Sequence, residues 1–350
     1  MGRVQPSIVP RRPVSPKPGD NGGMSDATHD SSPQTPAPAL ALARDLAVLA
    51  EAAARAVGPY LRRVTRTVMT VDTKADLHDP VTAHDRRVEG ALHTLLSHMV
   101  PASRVLGEET GEHTFPPHAD PFPRGFADDF EVPMSPAVQG AIRRSEGLGA
   151  RVRWIVDPID GTANFASGLP WFNTSIGVEL DGEVVAGAVH APVLAETYVA
   201  DLERAWMRDA DGTSTPLRSE GPLREDEALL VSYHPGVSLF SSDPDFAAAQ
   251  ERRLVSAYQT YRRLGACALD LAMVAGGWVG CVVGTSFKPW DVAAGLHLVR
   301  VAGGRIHTED FGTSLPEGLR PGIVVSVGTL VPSTALGVMS DYVDWWGARA

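Results

Sequence analysis

At 350 residues with 43% hydrophobic composition, the chain is long enough to bury a sizeable core as one large domain or two small ones, which excludes a wholly disordered chain. A formal net charge of −11 argues against a nucleic-acid backbone or an anionic membrane as partner, because neither gains from meeting an acidic surface. The two cysteines, Cys267 and Cys281, sit in apolar stretches without a ligand-like spacing and read as reduced core residues of a cytosolic protein.

Residues 1–36 are rich in Pro, Ser, Gly and Asp and lack apolar periodicity, so they predict a disordered tail. Arg11-Arg12 runs into Pro13-Val14-Ser15-Pro16 instead of an apolar segment, which argues against a twin-arginine export signal, and Met24 is a second candidate start. Apolar residues recur at helical spacing over residues 38–60, with Asp45 and Glu51 on the other side, predicting a packing helix. In the stretch 74–85, Pro80 is expected to stop a strand and Thr82 to cap a helix over 86–96, with Asp85 three residues on as in a capping box. His78 and His84 read as exposed loop histidines.

Residues 105–110 predict a short strand ending in the adjacent acids Glu108 and Glu109, whose side chains face opposite ways, so that one reaches a given point directly and the other supports it. Residues 113–150 are a Pro- and Asp-rich insertion with one helical piece near 135–146; such stretches serve as lids, interfaces or disordered loops.

The chain is organised around Trp154-Ile155-Val156-Asp157-Pro158-Ile159-Asp160-Gly161-Thr162-Ala163-Asn164-Phe165, an apolar run that stops at two carboxylates, a Pro, a Gly and a Thr. It predicts a buried strand closed by a tight turn, with Asp157 at the carboxyl end, where open α/β sheets place ligands. Asp157 and Asp160 can point at one spot, and like charges held that close are tolerated when a cation shares them; the expected cation is hard and oxygen-loving, Mg²⁺. Gly161 and Thr162 offer N–H groups and a hydroxyl beside it, as a phosphate requires. Taken alone, the same residues read as a turn and a helix cap.

Further on, Asp181-Gly182 predicts a hairpin between strands 172–180 and 183–190, followed by strands over 196–200, 204–208 and 229–233 in a large antiparallel sheet. A helix over 243–254 leads to a short strand near Tyr261. The apolar segment 262–277 is interrupted by Asp270 and closed by Gly276-Gly277, short of the ~20 residues a membrane span needs. Lys288-Pro289-Trp290-Asp291 suits a helix start, with Asp291 as a cap.

Together these pieces resemble the inositol monophosphatase-like family of Mg²⁺-dependent phosphatases. The segment 157–165 follows its Asp-Pro-Ile/Leu-Asp-Gly-Thr-x-Asn-Phe signature, 74–85 its Lys-(x)4-Asp-x-Val-Thr-x-x-Asp element, 107–109 its Gly-Glu-Glu and 290–295 its Trp-Asp-x-Ala-Ala/Gly-Gly, followed by Ala302-Gly303-Gly304, while 262–268 resembles its Arg-x-x-Gly-x-Ala-Ala with Cys267 at the first Ala. These occur in order over nearly all of residues 38–345. The resemblance implies the layered α/β/α/β sandwich of the sugar-phosphatase (inositol monophosphatase / fructose-1,6-bisphosphatase) type. An N-terminal α+β half, 37–225, would carry the main motif, and a C-terminal α/β half, 226–350, would close over it.

By the same resemblance, Glu108, Asp157 and the Ile159 carbonyl would hold one Mg²⁺ and Asp157, Asp160 and Asp291 a second, with a weaker third near Glu108. Asp85 would hydrogen-bond Thr162, and Thr162 with Glu109 would orient a water for in-line attack on phosphorus. Gly161, Thr162, Ala266, Cys267 and Gly284 would line the substrate. That substrate would be a small phosphorylated metabolite, inositol monophosphate or a related polyol or sugar phosphate; histidinol phosphate, a sugar bisphosphate and 3′-phosphoadenosine 5′-phosphate stay open. A catalytically silent binding protein of the same fold is the reading from a different class. A homodimer and a cytoplasmic location are expected.

Inositol-specific members carry a Glu seven residues before the second-metal Asp, and here that place is Gly284. If the pocket opens there, Gly284→Glu should raise preference for inositol monophosphate. If Gly284 is a strand end needing a compact residue, the change should only cost stability.

Overall fold

The computed structural model describes residues 37–65, 71–73, 80–309 and 322–349. The expectations for the tail 1–36 and for residues 74–79, His78 among them, lie outside the described residues.

Alanine and leucine at helical spacing build α1 (Ala37–Ala56), and α2 (Gly58–Val64) follows with a proline in its first turn. β1 (Val71–Thr73) and β2 (Pro80–Thr82) form an antiparallel ribbon leading into α3 (Ala83–Met99), so Pro80 opens a strand rather than stopping one. β3 (Arg104–Gly107) and β4 (Gly111–Thr114) flank the turn that bears Glu108 and Glu109. The insertion then forms α4 (Phe126–Asp129) and α5 (Pro136–Arg144), the latter capped by Ser135 Oγ accepting from the Val138 N–H at 3.3 Å. β5 (Val152–Asp160), α6 (Thr162–Ser167), β6 (Asn173–Leu180), β7 (Glu183–Ala191), β8 (Glu196–Ala200), β9 (Ala205–Arg208) and β10 (Ser214–Pro216) follow. Asp181 and Gly182, at φ 55° and 93°, make the tight turn between β6 and β7.

The remaining elements are β11 (Leu229–Ser232), α7 (Val237–Ser242), α8 (Pro244–Ala257), β12 (Thr260–Arg262), α9 (Cys267–Ala275), β13 (Cys281–Gly284), α10 (Pro289–Val301), β14 (Arg305–Glu309), β15 (Gly322–Ser326) and α11 (Ser333–Gly347). Among the described residues the strands form an eight-stranded sheet in the order β10-β9-β8-β7-β6-β5-β3-β4 and a five-stranded sheet in the order β12-β11-β13-β15-β14. The larger sheet is antiparallel apart from the β3–β5 pair. β11, expected at the end of the first meander, instead opens the second sheet, where it runs parallel to β12 and β13.

Helices α1 and α3 cover one face of the eight-stranded sheet; α9 and α10 lie between the two sheets, and α8 and α11 pack outside the smaller one. The α/β/α/β order expected is present, with α8 and α11 as a further layer. α10 approaches the larger sheet closely because Gly177 and Gly187 lack side chains: a Cβ on Gly177 would lie 2.7 Å from Ala293 Cβ, and one on Gly187 2.9 Å from Ala294 Cα. Trp154, fully buried in β5, satisfies its indole N–H on Ser103 Oγ at 2.9 Å.

Asp45 and Glu51 do not face solvent: they are 6% and 8% exposed, paired with Arg144 of α5 and Arg208 of β9. Helical periodicity marks a polar face but not what later chain lays over it. Cys267 and Cys281 are buried free thiols. No helix among the described residues is long and apolar enough to cross a membrane.

Candidate active site

The main motif spans the end of β5. The pairing of β5 with β6 slips there: Asp157 lies opposite Ser175 and Asp160 opposite Asn173, so β5 carries one extra residue. Such a bulge bends the strand and re-aims its side chains. Pro158, which has no N–H to lose, sits inside it, and its carbonyl accepts from Thr174 Oγ1 at 2.9 Å. Gly161 follows at φ +88°, with Ala266 Cβ and the Trp171 carbonyl about where a Cβ would meet them, 3.0 and 3.1 Å away. No other residue fits that turn without displacement.

Asp157 and Asp160 are 3% and 7% exposed. Asp157 Oδ1 accepts from the Ile159 N–H at 3.0 Å. Asp160 Oδ1 accepts from the Cys267 N–H at 3.0 Å, and its Oδ2 from the Ala268 N–H at 2.8 Å and Asn173 Nδ2 at 2.6 Å. Asp160 therefore caps α9 from another part of the chain, while Ala266 and Cys267 stand at that helix start. The Thr162 hydroxyl lies 3.0 Å from the Ile159 carbonyl oxygen and 3.4 Å from Asp85 Oδ1, near the start of α3. Asp291 Oδ2 accepts from the Lys288 N–H at 2.7 Å at the start of α10.

Glu108 and Glu109 lie in the β3–β4 turn, with Glu109 3.7 Å from the Arg86 guanidinium. His84 is a correction: it is no exposed loop residue but part of α3, with Nδ1 2.6 Å from the Tyr60 hydroxyl and its ring edge-on to Phe165. Gly284 is a second. It is buried at the end of β13, and a Cβ there would lie 2.5 Å from the Phe287 ring and 2.7 Å from Tyr233 Cβ. The space in which a carboxylate would begin is already filled.

Electrostatics gathers these residues more tightly than their hydrogen bonds do. Burial raises the Asp157 carboxyl well above the usual range, reinforced by the negative charges of Glu108, Asp160, Asp291 and Asp85. Burial also pushes Asp160 up to about 6, against its hydrogen bonds from Asn173, Ala268 and Cys267, and Asp291 up to about 8. Five carboxylates from four separate stretches thus repel one another in a low-dielectric site. Among the described residues no three His, Cys, Asp or Glu side chains stand in ready-made ligating geometry. Asp157, Asp160 and Asp291 each accept from backbone N–H groups. An all-oxygen, mutually repelling set with Asp85, Asp157 and Asp160 buried is nonetheless the donor chemistry a hard divalent cation requires.

Asn173, which tethers Asp160, was not singled out by the sequence, and its signal was only that a polar residue opens β6. A groove of about 990 Å³ lined in part by Glu179, Glu183, His297 and Arg300 shares no residue with this set.

The sequence profile of the inositol monophosphatase family matches residues 42–327. The chain belongs to that family. An inositol-1-monophosphatase of Mesorhizobium japonicum is 36% identical over 171 residues, 49% of this chain and 62% of that relative's length. A fructose-1,6-bisphosphatase/inositol-1-monophosphatase of Thermotoga maritima is 33% identical over 196 residues, 56% of this chain and 71% of the relative. Among solved structures, the Thermotoga maritima IMPase superposes with a TM-score of 0.63 at 26% identity, over 84% of this chain and 96% of that one. The inositol monophosphatase family fold therefore accounts for the two-sheet sandwich.

Proposed function

We propose that the chain is a Mg²⁺-dependent phosphomonoesterase acting on a small phosphorylated metabolite, inositol monophosphate or a related polyol or sugar phosphate. The observation that carries this reading is the crowding of Glu108, Asp160, Asp291 and Asp85 about the buried Asp157, an arrangement that costs stability unless a cation occupies it. Glu108, Asp157, the Ile159 carbonyl, Asp160 and Asp291 would hold Mg²⁺, which when bound supplies positive charge to the phosphate oxygens and makes water a better nucleophile at neutral pH. Thr162, within reach of Asp85, and Glu109 position that water. Gly161 and Thr162 present N–H groups to the phosphate, and Ala266 and Cys267 border the rest of the substrate. No Cys or His nucleophile enters: burial raises the Cys267 thiol well above its ordinary value, which keeps it protonated. A homodimer in the cytoplasm is part of the same reading, supported by family membership.

The test is phosphate release from inositol monophosphate, glycerol 2-phosphate, histidinol phosphate, a sugar bisphosphate and 3′-phosphoadenosine 5′-phosphate, with and without Mg²⁺, beside an Asp157→Asn control. Mg²⁺-dependent release that the control lacks is the expected result, and Li⁺ should inhibit it. No Mg²⁺-dependent release from any compound would leave a silent binding protein as the better reading.

A further inference from the structure

α3 brings a second carboxylate to this site one helical turn beyond Asp85. Glu89 is 0% exposed, yet no Lys or Arg pairs with it among the described ion pairs; the nearest basic group is His93 Nε2, 3.7 Å away. A fully buried carboxylate needs several donors to offset its lost hydration. Glu89 finds three, all in the β3–β4 turn: Oε2 accepts from the Glu109 N–H at 2.9 Å, and Oε1 accepts from the Thr110 N–H at 2.9 Å and the Thr110 hydroxyl at 2.6 Å.

The other side of the carboxylate rests on Gly107. A Cβ on Gly107 would lie 2.5 Å from Oε1 and 2.7 Å from Cδ of Glu89, so the glycine of the Gly-Glu-Glu element leaves room for this side chain. Glu89 thus touches the residue before Glu108 and both residues after it, through backbone and the Thr110 hydroxyl. An exposed turn of three residues has many conformations, and three hydrogen bonds to one buried group select among them.

We infer that Glu89 is a positioning residue: it fixes the backbone from Gly107 to Thr110 so that Glu108 meets the Asp157 cluster. This rests on the reading of Glu108 as a metal ligand. Partners that orient ligands in this way typically change metal affinity by about 10–100-fold when removed. Glu89→Gln keeps the size of the side chain but turns an amide N–H toward one of the N–H donors, so the turn loses its fixed geometry. Thr110→Val removes one of the three donors and leaves Glu89 intact.

The experiment is calorimetric titration of the metal-free full chain with Mg²⁺, for wild type, Glu89→Gln, Thr110→Val, their double variant and a Glu108→Gln control, each checked for folding by circular dichroism. Glu89→Gln should weaken Mg²⁺ binding by about tenfold or more, and Thr110→Val by less. The double variant should be no weaker than Glu89→Gln alone, because both act on one turn. Activity of Glu89→Gln should recover toward wild type at saturating Mg²⁺, which a loss of folded protein would not do. A folded Glu89→Gln with wild-type Mg²⁺ affinity overturns the inference while the metal reading stands. If Glu89→Gln does not fold, unchanged affinity in Thr110→Val overturns it equally. Wild-type affinity in Glu108→Gln would instead sink the metal reading, and the role of Glu89 with it.

Discussion

Asp160 holds the start of α9 and, under the proposed function, a metal ion as well. Both its oxygens accept from N–H groups, at Cys267, Ala268 and Asn173. Asp160→Asn should therefore lose most of the turnover and also lower stability by about 1–3 kcal/mol, since whichever way the amide is turned, its NH₂ opposes a donor. Urea unfolding and phosphate release on the same preparation check this; an unchanged unfolding midpoint would mean that the cap on α9 is dispensable. At Gly284 the expected gain of inositol preference gives way to the other reading. With Phe287 and Tyr233 where a Cβ would sit, Gly284→Glu should lower the melting temperature and leave the ratio of activities on inositol monophosphate and glycerol 2-phosphate unchanged. A folded variant with a raised ratio would show that the strand end can open.

At the scale of elements, α10 runs from the carboxylate cluster into the space between the sheets. Asp291 stands in its first turn, and His297 lies buried further along, its Nε2–H donating to the Asp201 carbonyl at 2.9 Å. Burial lowers the His297 pKa to about 4. The unfolded chain takes up a proton there below its ordinary value of about 6.5, the folded chain only near 4. The stability it confers is thus present above about pH 6.5 and lost as pH falls toward 4, worth roughly 3 kcal/mol over that window. His297→Gln keeps a donor for Asp201 and removes the titration, so the fall in unfolding free energy between pH 7 and 4.5 should be shallower than in wild type. Equal slopes would mean that His297 is protonated when folded. His190 and His234, lowered by burial to about 3 and about 4, should leave a residual slope in the variant.

Across the whole molecule, a buried carboxyl ties the segment that leads into β6 of the larger sheet to the end of β11 in the smaller one. Asp270 of α9 accepts from Trp171 Nε1 at 2.9 Å, in the segment between α6 and β6, and from the Tyr233 hydroxyl just past β11. Burial pushes Asp270 up to about 8, opposed by those two hydrogen bonds. Asn164 Nδ2 adds a parallel tie, donating to the carbonyls of Trp171 and Leu264. Asp270→Ala should leave two donors without an acceptor and cost about 2–4 kcal/mol, with a change in Trp fluorescence as Trp171 is released. A variant as stable as wild type would show that solvent or neighbouring groups satisfy both donors.

By itself the sequence determined the elements whose cause is local. The apolar run into Asp157-Pro158-Ile159-Asp160-Gly161, the Asp181-Gly182 hairpin and the helix starts at Ser135 and Pro289 are written in residues adjacent in the chain, where period, proline and glycine act within a few bonds. The ordered motifs also pointed to the family, because their spacing survives without coordinates. Only the tertiary structure decided what covers what. Asp45, Glu51 and Asp270 look like surface or interrupting charges in sequence, yet each is buried by a partner from about a hundred residues away or more, or from a different sheet. Glu89 falls within the helix expected over 86–96, and only the β3–β4 turn laid against that helix gives it partners. At Gly284 the sequence left open a missing carboxylate or a compact strand end, and in the structure Phe287 and Tyr233 fill the space a Cβ would take. Burial and repulsion depend on distance through space, and hydrophobic period records only which face turns inward, not which charges meet there.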